Sequence, residues 1–150
     1  MIREATMNDL EHLVLLMFEM HEESRFASLE FDVEKSVRLL TGCILSDDQM
    51  LVVYETKGEI VGGIAAYVVE HLTSLDRIAG DFGLFLAQGS RGGLIAARLV
   101  KYFLNWAQLK DAKLTQMGIS TGVNVEQTGR LYEALGGKCF GGLYEFKGGA

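Results

Sequence analysis

Two stretches in the first third of the chain repeat apolar residues every three or four positions, the spacing of one helix face. Between 7 and 22 this repeat predicts a helix, and Thr6 with Asp9 resembles a capping box at its start. Between 33 and 45 it predicts a second helix, and the polar segment 21–32 between them is expected to be a loop. The apolar stripes consist of Leu10, Leu13, Val14, Met17 and Phe18 in the first helix and of Val37, Leu40, Cys43 and Ile44 in the second.

The middle of the chain is rich in β-branched and aromatic residues, which favour strands. Runs at 50–56 and 59–72 flank a Lys57-Gly58 turn that suits a β-hairpin, and a third run covers 78–87. These three runs predict an antiparallel meander, and residues 1–5 predict a short strand before it.

The last third predicts a helix at 91–110, a strand at 113–120 and a short helix at 126–135, which Gly136 and Gly137 should end. A strand, a helix and a strand in succession form a βαβ unit, so the strands on either side of the long helix should be parallel. Segment 138–147 predicts a last strand pair or a bent strand.

The predicted order of elements is βααβββαβαβ(β), which defines the fold class. It indicates an α/β, or layered α+β, fold over 1–150 as a single domain. The sheet should be mixed but mostly antiparallel, with six to seven strands and helices on both faces.

A glycine-rich turn separates the strand at 78–87 from the long helix. Gly89, Gly92 and Gly93 allow positive φ and a close approach of a ligand to the main chain. The N–H groups that open the helix have no partner within it, so the turn can bind an anion such as phosphate. The spacing matches neither a P-loop nor a dinucleotide fingerprint nor a nucleophile elbow.

The formal net charge of −6 disfavours a role in binding nucleic acids, whose phosphates it would repel. A polyanionic cofactor would need a local basic patch, which Arg91, Arg98 and Lys101 around the glycine turn can supply. No apolar run reaches the roughly 18 residues of a membrane span, and the charged first residues do not resemble a signal peptide. A cytoplasmic protein that does not bind membranes is therefore expected.

The cysteines and histidines give no indication of a metal site. Cys43 and Cys139 are far apart and should both be reduced, and Cys139 is expected to be a buried thiol. His12, His21 and His71 show no metal-ligand spacing with each other or with the cysteines.

Two motifs in this order of elements resemble the GNAT superfamily of N-acetyltransferases. Arg91-Gly92-Gly93-Leu94-Ile95-Ala96 is similar to the family's pyrophosphate loop, although Leu94 stands where glycine is usual. This Arg-Gly-Gly form also resembles a bacterial and phage subgroup. Asn124 followed by Gly129-Arg130-Leu131-Tyr132-Glu133-Ala134-Leu135-Gly136 is similar to the family's closing signature.

The resemblance implies acetyl-CoA as co-substrate. Backbone N–H groups from Arg91, Gly92, Gly93, Leu94, Ile95 and Ala96 would bind its pyrophosphate, and Asn124 would contribute to the same site. Pantetheine would lie between two splayed parallel strands and pair with the amides of Phe85, Leu86 and Ala87, in the manner of an added strand.

The resemblance also implies direct attack of an amine on the thioester, with Tyr132 as the general acid that protonates the leaving thiolate. A phenol is protonated at neutral pH and can donate, although Tyr132 could equally pack its helix on the sheet. Asp81 is a candidate general base because a carboxylate in an apolar strand should have a raised pKa. Glu70, His71 and a water molecule remain alternatives for this base.

The acceptor would be an amine of a small molecule or of a protein, contacted by the loops around 22–32 and 70–78. Glu22, Glu23 and Glu30 could line its entrance, or could simply be solvated. A non-catalytic acyl-CoA-binding or regulatory module on the same fold remains the alternative function. Pairing through 138–147 could produce a homodimer.

Overall fold

A five-stranded sheet lies at the centre of the computed structural model, which describes residues 1–148. Its strands follow chain order, and all neighbours are antiparallel except the parallel last pair. The strands are β1 (Ile2–Glu4), β2 (Gln49–Thr56), β3 (Glu59–Glu70), β4 (Arg77–Leu86) and β5 (Leu114–Gln116). The helices are α1 (Leu10–Glu23), α2 (Val33–Leu45), α3 (Leu94–Leu109) and α4 (Val125–Ala134).

Helices cover both faces of the sheet, as predicted. The strands are buried on both sides, so neighbouring residues of β2 belong to different cores: Leu51 packs with α1 and α2, and Val52 packs with α3. The first core contains Leu13, Leu16, Leu40 and Cys43, and the second contains Leu99, Phe103 and Ala107. The sheet is therefore held rigidly between two apolar layers.

The prediction of six to seven strands is wrong, because residues 1–148 form a sheet of five. Segment 138–147, predicted as the last strand or strand pair, forms no strand. Gly141 and Gly142 interrupt its apolar residues, and glycine weakens a strand. Its large side chains are exposed, with Phe140 at 90% and Phe146 at 88%. Cys139 lies in this segment and is exposed, which corrects the prediction that it is a buried thiol.

The pairing of β4 creates a gap in the sheet. β4 and β5 are paired only from Ile78 to Gly80, although β4 continues to Leu86. On its other edge β4 carries a bulge, since Asp81 and Gly83 face successive residues of β3 and leave Phe82 as the extra residue. The second half of β4 therefore has a strand neighbour on one side only.

The ends of α2 and α4 agree with the sequence signals, whereas α3 begins at Leu94 and not at the predicted position 91. The Asp32 carboxylate accepts the N–H of Lys35 at 2.8 Å, and α2 covers the range that its apolar repeat predicts. After α4, Gly136 has a φ of 96° and the N–H of Gly137 donates to the carbonyl of Tyr132 at 2.9 Å. This is a Schellman end, so the glycine stop is confirmed. None of the helices within residues 1–148 has the length and apolar character needed to cross a membrane.

Candidate active site

A cleft of about 710 Å³ lies beside the half of β4 that has no partner on its β5 side. Four parts of the chain line it: the end of α1 with the following loop, β4, the start of α3, and the segment from β5 through α4. The predicted site residues that line it are Asp81, Phe85, Leu86, Arg91, Gly92, Gly93, Ala96, Asn124 and Tyr132. The cleft therefore joins the glycine turn to the two candidate catalytic residues.

Of the three glycines in the turn, only Gly92 takes the positive φ that the sequence allows, and Gly89 and Gly93 do not. Gly92 has a φ of 79°, and Gly93 caps α3, which begins at Leu94. The first N–H groups of this helix have no acceptor within the helix. Leu94 is 70% exposed and Ile95 packs against the α3 core, so these two contribute backbone rather than side chain to the turn. The residue with a left-handed backbone is Gly92 and not Leu94. The leucine side chain at position 94 therefore fits, although glycine is usual there.

The amides of β4 do not all face the gap. The N–H of Ala87 donates to the carbonyl of Val61 at 2.9 Å, so Ala87 cannot offer it to a ligand, contrary to the prediction. Amide directions alternate along a strand, so Phe85 also faces β3, and the N–H and carbonyl of Leu86 face the gap. Of the three predicted residues, only Leu86 offers its backbone N–H to a ligand in the gap.

Asp81 and Tyr132 meet at Gly118, where β4 and β5 separate. The N–H of Gly118 donates to Asp81 Oδ1 at 3.4 Å, and the hydroxyl of Tyr132 donates to the carbonyl of Gly118 at 3.4 Å. Burial raises the pKa of Asp81, which the Gly118 hydrogen bond partly offsets. Burial and the nearby Asp81 charge raise the pKa of Tyr132, so the phenol stays protonated. The carboxyl of Asp81 and the hydroxyl of Tyr132 are thus both hydrogen-bonded to the backbone of Gly118.

Glu23 binds the guanidinium of Arg91, an interaction the sequence did not predict. Arg91 Nη1 donates to Glu23 Oε2 at 2.9 Å, and Nη2 binds Oε1. Arg91 also donates to the carbonyl of Leu86 from Nε and Nη2, both at 3.2 Å. The Arg91 hydrogen bonds lower the pKa of Glu23. The guanidinium of Arg91 is therefore already bound to Glu23 at the end of α1 and to the Leu86 carbonyl at the unpaired edge of β4.

Glu70 and His71, the competing candidates for the base, do not line the cleft. Glu70 lies opposite Arg77, at the far end of the β3–β4 pair. The N–H of His71 donates to the carbonyl of Asp76, and its Nδ1 accepts the N–H of Thr73. Of the residues considered as the base, Asp81 alone lies beside Tyr132.

Arg98 and Lys101, the other predicted basic residues, also lie outside the cleft. Arg98 Nη1 donates to the hydroxyl of Tyr54 at 2.8 Å, and Lys101 is exposed on α3. The predicted basic patch around the turn is therefore limited to Arg91. Asn124 lines the cleft as the residue before α4, in a left-handed conformation with φ 49° and ψ 40°.

Arg25 connects the loop after α1 to the far side of the cleft. Its N–H donates to the carbonyl of Thr121 at 2.9 Å, and its Nη1 lies 2.8 Å from Glu145 Oε1. Its guanidinium also covers the Phe26 ring, 4.3 Å from the centroid. The backbone N–H of Arg25 and its Nε, which donates to the carbonyl of Ser120, thus join the loop after α1 to the segment between β5 and α4. No pattern in the sequence predicts this contact.

Comparison with known proteins agrees with this geometry. The profile of the Acetyltransferase (GNAT) family matches residues 12–136. A comparison with curated protein sequences gave no match.

Solved structures resemble the whole chain. A transcriptional regulator from Bacillus halodurans C-125 is 25% identical, with a TM-score of 0.79 over 98% of this chain and 99% of its own. An aminoglycoside acetyltransferase from an uncultured soil metagenomic sample is 20% identical, with a TM-score of 0.72 over 99% and 98%. A ribosomal-protein-alanine N-acetyltransferase from Brucella melitensis biovar Abortus 2308 is 15% identical, with a TM-score of 0.74 over 99% of both chains. The chain therefore belongs to the GNAT family of acetyltransferases.

Proposed function

We propose that this protein transfers an acetyl group from acetyl-CoA to an amine by direct attack, with Tyr132 as general acid and Asp81 as general base. The observation that carries the proposal is the single cleft that contains both the first turn of α3 and the Asp81–Tyr132 pair. An anion site and a pair of proton-transfer groups within one cleft suit a phosphorylated acyl donor.

The residues of the cleft fit acetyl-CoA. Gly92 and Gly93 bring bare backbone to the start of α3, where N–H groups and the helix dipole favour a diphosphate. The gap beside β4 offers the N–H of Leu86 to an extended amide chain, while the Leu86 carbonyl already accepts from Arg91. When bound, acetyl-CoA supplies a thioester whose carbonyl carbon the amine attacks, and the sulfur leaves with the bonding electron pair.

Asp81 is suited to prepare the amine. An ammonium group cannot attack until it loses a proton, and a carboxylate with a raised pKa is a better acceptor for that proton than an exposed one. One carboxylate oxygen accepts a long hydrogen bond from the N–H of Gly118, at 3.4 Å, which leaves the other oxygen for the acceptor. A general base of this kind contributes typically 10²–10⁴-fold to a rate.

Tyr132 is suited to protonate the leaving sulfur. Its hydroxyl bonds only weakly to Gly118, because 3.4 Å is at the long limit of a hydrogen bond. The donor can therefore turn to a substrate atom at little cost. Backbone N–H groups of β4 that face the gap can stabilise the thioester oxygen as it gains charge.

Calorimetry with acetyl-CoA and a thiol-release assay with an amine panel test the proposal. We expect binding by the unmodified chain, turnover of at least one amine, and a large loss of kcat in Tyr132→Phe. Binding with full turnover in Tyr132→Phe would exclude the phenol as the acid, and absence of acetyl-CoA binding would refute the proposal as a whole.

A non-catalytic acyl-CoA-binding or regulatory module is the second candidate, and one similar structure favours it. The solved structure that is 25% identical to this chain is that of a transcriptional regulator. Acetyl-CoA binding without turnover on any amine, together with no effect of Tyr132→Phe, would establish this alternative.

A further inference from the structure

The cleft does not share the acidic character of the chain. The formal net charge is −6, yet the charged residues among the described lining are two carboxylates, Glu23 and Asp81, and two guanidinium groups, Arg91 and Arg130, with His21 beside them. Glu23 is already paired with Arg91. Of the described lining, Asp81 is the one carboxylate left to receive an ammonium group.

A polycationic acceptor does not suit this arrangement. Each buried ammonium group needs a carboxylate or several acceptors, since an unpaired buried charge is costly. A second ammonium of a polyamine or an aminoglycoside would find no free carboxylate in the described lining. It would meet Arg130 or neutral groups such as Ser120 and Gln127, whose hydrogen bonds to a cation are weaker than those of a carboxylate.

The α1 side of the cleft presents aromatic rings that are already fixed. Phe31 is held by edge contacts with Phe18 and His21, at centroid distances of 5.4 and 5.2 Å. One face of Phe26 is covered by Arg25, and Phe82 packs against Tyr67 at 4.8 Å. Phe26, Phe31 and Phe82 line the cleft together with Met17 and Met20. A preformed apolar surface of this kind binds an apolar group at low entropic cost.

We infer that the acceptor is a primary amine with a single positive charge on an apolar body, oriented with its nitrogen at Asp81 and its body against Phe26, Phe31 and Phe82. The inference rests on the proposed function, because it concerns the acceptor side of the same cleft. A free arylalkylamine and the amino terminus of a peptide that begins with phenylalanine share this chemistry.

The test measures kcat/KM by thiol release at saturating acetyl-CoA with four acceptors. Phenethylamine and a dipeptide amide beginning with phenylalanine represent the two sources of the apolar amine, and spermidine and kanamycin represent polycations. We expect the better of the first two to exceed both polycations by at least about ten-fold, the discrimination that an apolar pocket supplies. The ratio between the first two acceptors identifies the source.

Two variants make the inference specific to the aromatic surface. Phe31→Asp adds a carboxylate to the lining and should move the preference toward spermidine by about ten-fold or more. Phe140→Asp is the matched control because Phe140 is 90% exposed and lies outside the cleft, and it should leave the preference unchanged. Equal shifts in both variants would refute the role of Phe31.

Calorimetry of phenethylamine and spermidine with the protein saturated with CoA separates the inference from the proposed function. Tighter binding of phenethylamine supports the inference even without turnover. Better turnover or tighter binding of spermidine or kanamycin overturns the inference and leaves the acetyltransferase proposal standing. Absence of acetyl-CoA binding overturns both.

Discussion

Glu23 at the end of α1 and Arg91 in the glycine turn form a bidentate ion pair that joins the α1 side of the cleft to the start of α3. Their side chains are 26% and 22% exposed, so solvent screens the pair only in part. Arg91 also donates to the Leu86 carbonyl. Its charge is therefore compensated by Glu23, and its side chain is held in position, before any ligand binds. A phosphorylated ligand must compete with Glu23 for this guanidinium.

Glu23→Gln is therefore expected to tighten acetyl-CoA binding. Removing the carboxylate leaves the charge of Arg91 uncompensated beside the helix start where the diphosphate would bind. An ion pair of this exposure contributes about 0.2–1 kcal/mol, so the expected gain in affinity is about 1.4- to five-fold, larger at low salt. Calorimetry at two ionic strengths measures it.

Glu22→Gln is the control for this substitution. Glu22 is the exposed neighbour of Glu23, lies outside the cleft and carries the same charge. It should change acetyl-CoA affinity less than Glu23→Gln at both ionic strengths. Weaker binding by Glu23→Gln would mean that the pair positions Arg91 for the ligand and does not compete with it.

Tyr132→Phe should lower kcat by about 10²–10⁴-fold and leave the KM for acetyl-CoA nearly unchanged. The phenyl ring keeps its packing, and the lost hydrogen bond to Gly118 is long, so the free energy of unfolding should fall by less than about 1 kcal/mol. Steady-state kinetics and urea unfolding measure the two effects. Tyr144→Phe, at a position 83% exposed and outside the cleft, should behave as the unmodified protein does.

The sequence predicted those parts of the site that depend on local pattern. The glycine turn is predictable because glycines favour a left-handed residue and the apolar repeat after them marks the start of a helix. Gly92 has the positive φ expected. Asp81 and Tyr132 are brought together by the parallel pairing of β4 with β5, which the βαβ pattern predicts.

The parts that the sequence could not predict depend on register or on distant side chains. Backbone N–H groups along β4 point alternately toward β3 and toward the gap, so which of them face the gap depends on the register of β4 against β3. The bulge at Phe82 shifts this register by one residue within the strand. Glu23 and Arg91 are 68 residues apart, and no periodicity connects them. Segment 138–147 contains residue types that favour strands, yet its large apolar side chains are exposed. They therefore lack the packing against a neighbouring strand that stabilises the extended conformation.

Asp9→Asn should destabilise the fold by about 1–3 kcal/mol at pH 7. Hydrogen bonds from the Arg3 guanidinium, at 2.8 and 3.0 Å, lower the pKa of Asp9 to about 2, and the Thr6 N–H at 2.7 Å adds to this against the opposing effect of burial. Because this pKa is below that of the unfolded chain, about 3.9, the stability is present above pH 4 and is lost as the pH falls toward 2.

Urea unfolding between pH 2 and 7 measures this dependence. Asp9→Asn should flatten the acid part of the stability curve, whereas Asp47→Asn, at an exposed position, should leave it unchanged. A variant curve that remains parallel to that of the unmodified protein down to pH 2 would exclude Asp9 as the source of acid lability.

Asp81→Asn should separate activity from stability, since burial raises the pKa of this carboxyl in the folded chain. The carboxylate can accept a proton only above that pKa, so the kcat/KM of the unmodified protein should rise as the pH passes through it. Asp81→Asn should lose this rising limb of the pH–rate profile, together with about 10²–10⁴-fold in rate. The stability that Asp81 contributes is present below the unfolded pKa of about 3.9 and is lost as the pH rises through the folded value. The variant should therefore be more stable than the unmodified protein at pH 8, with this advantage disappearing at pH 3.

Glu70→Gln, outside the cleft, should alter neither the pH–rate profile nor the pH dependence of stability. A pH–rate limb that persists in Asp81→Asn and disappears in Glu70→Gln would transfer the role of base to Glu70.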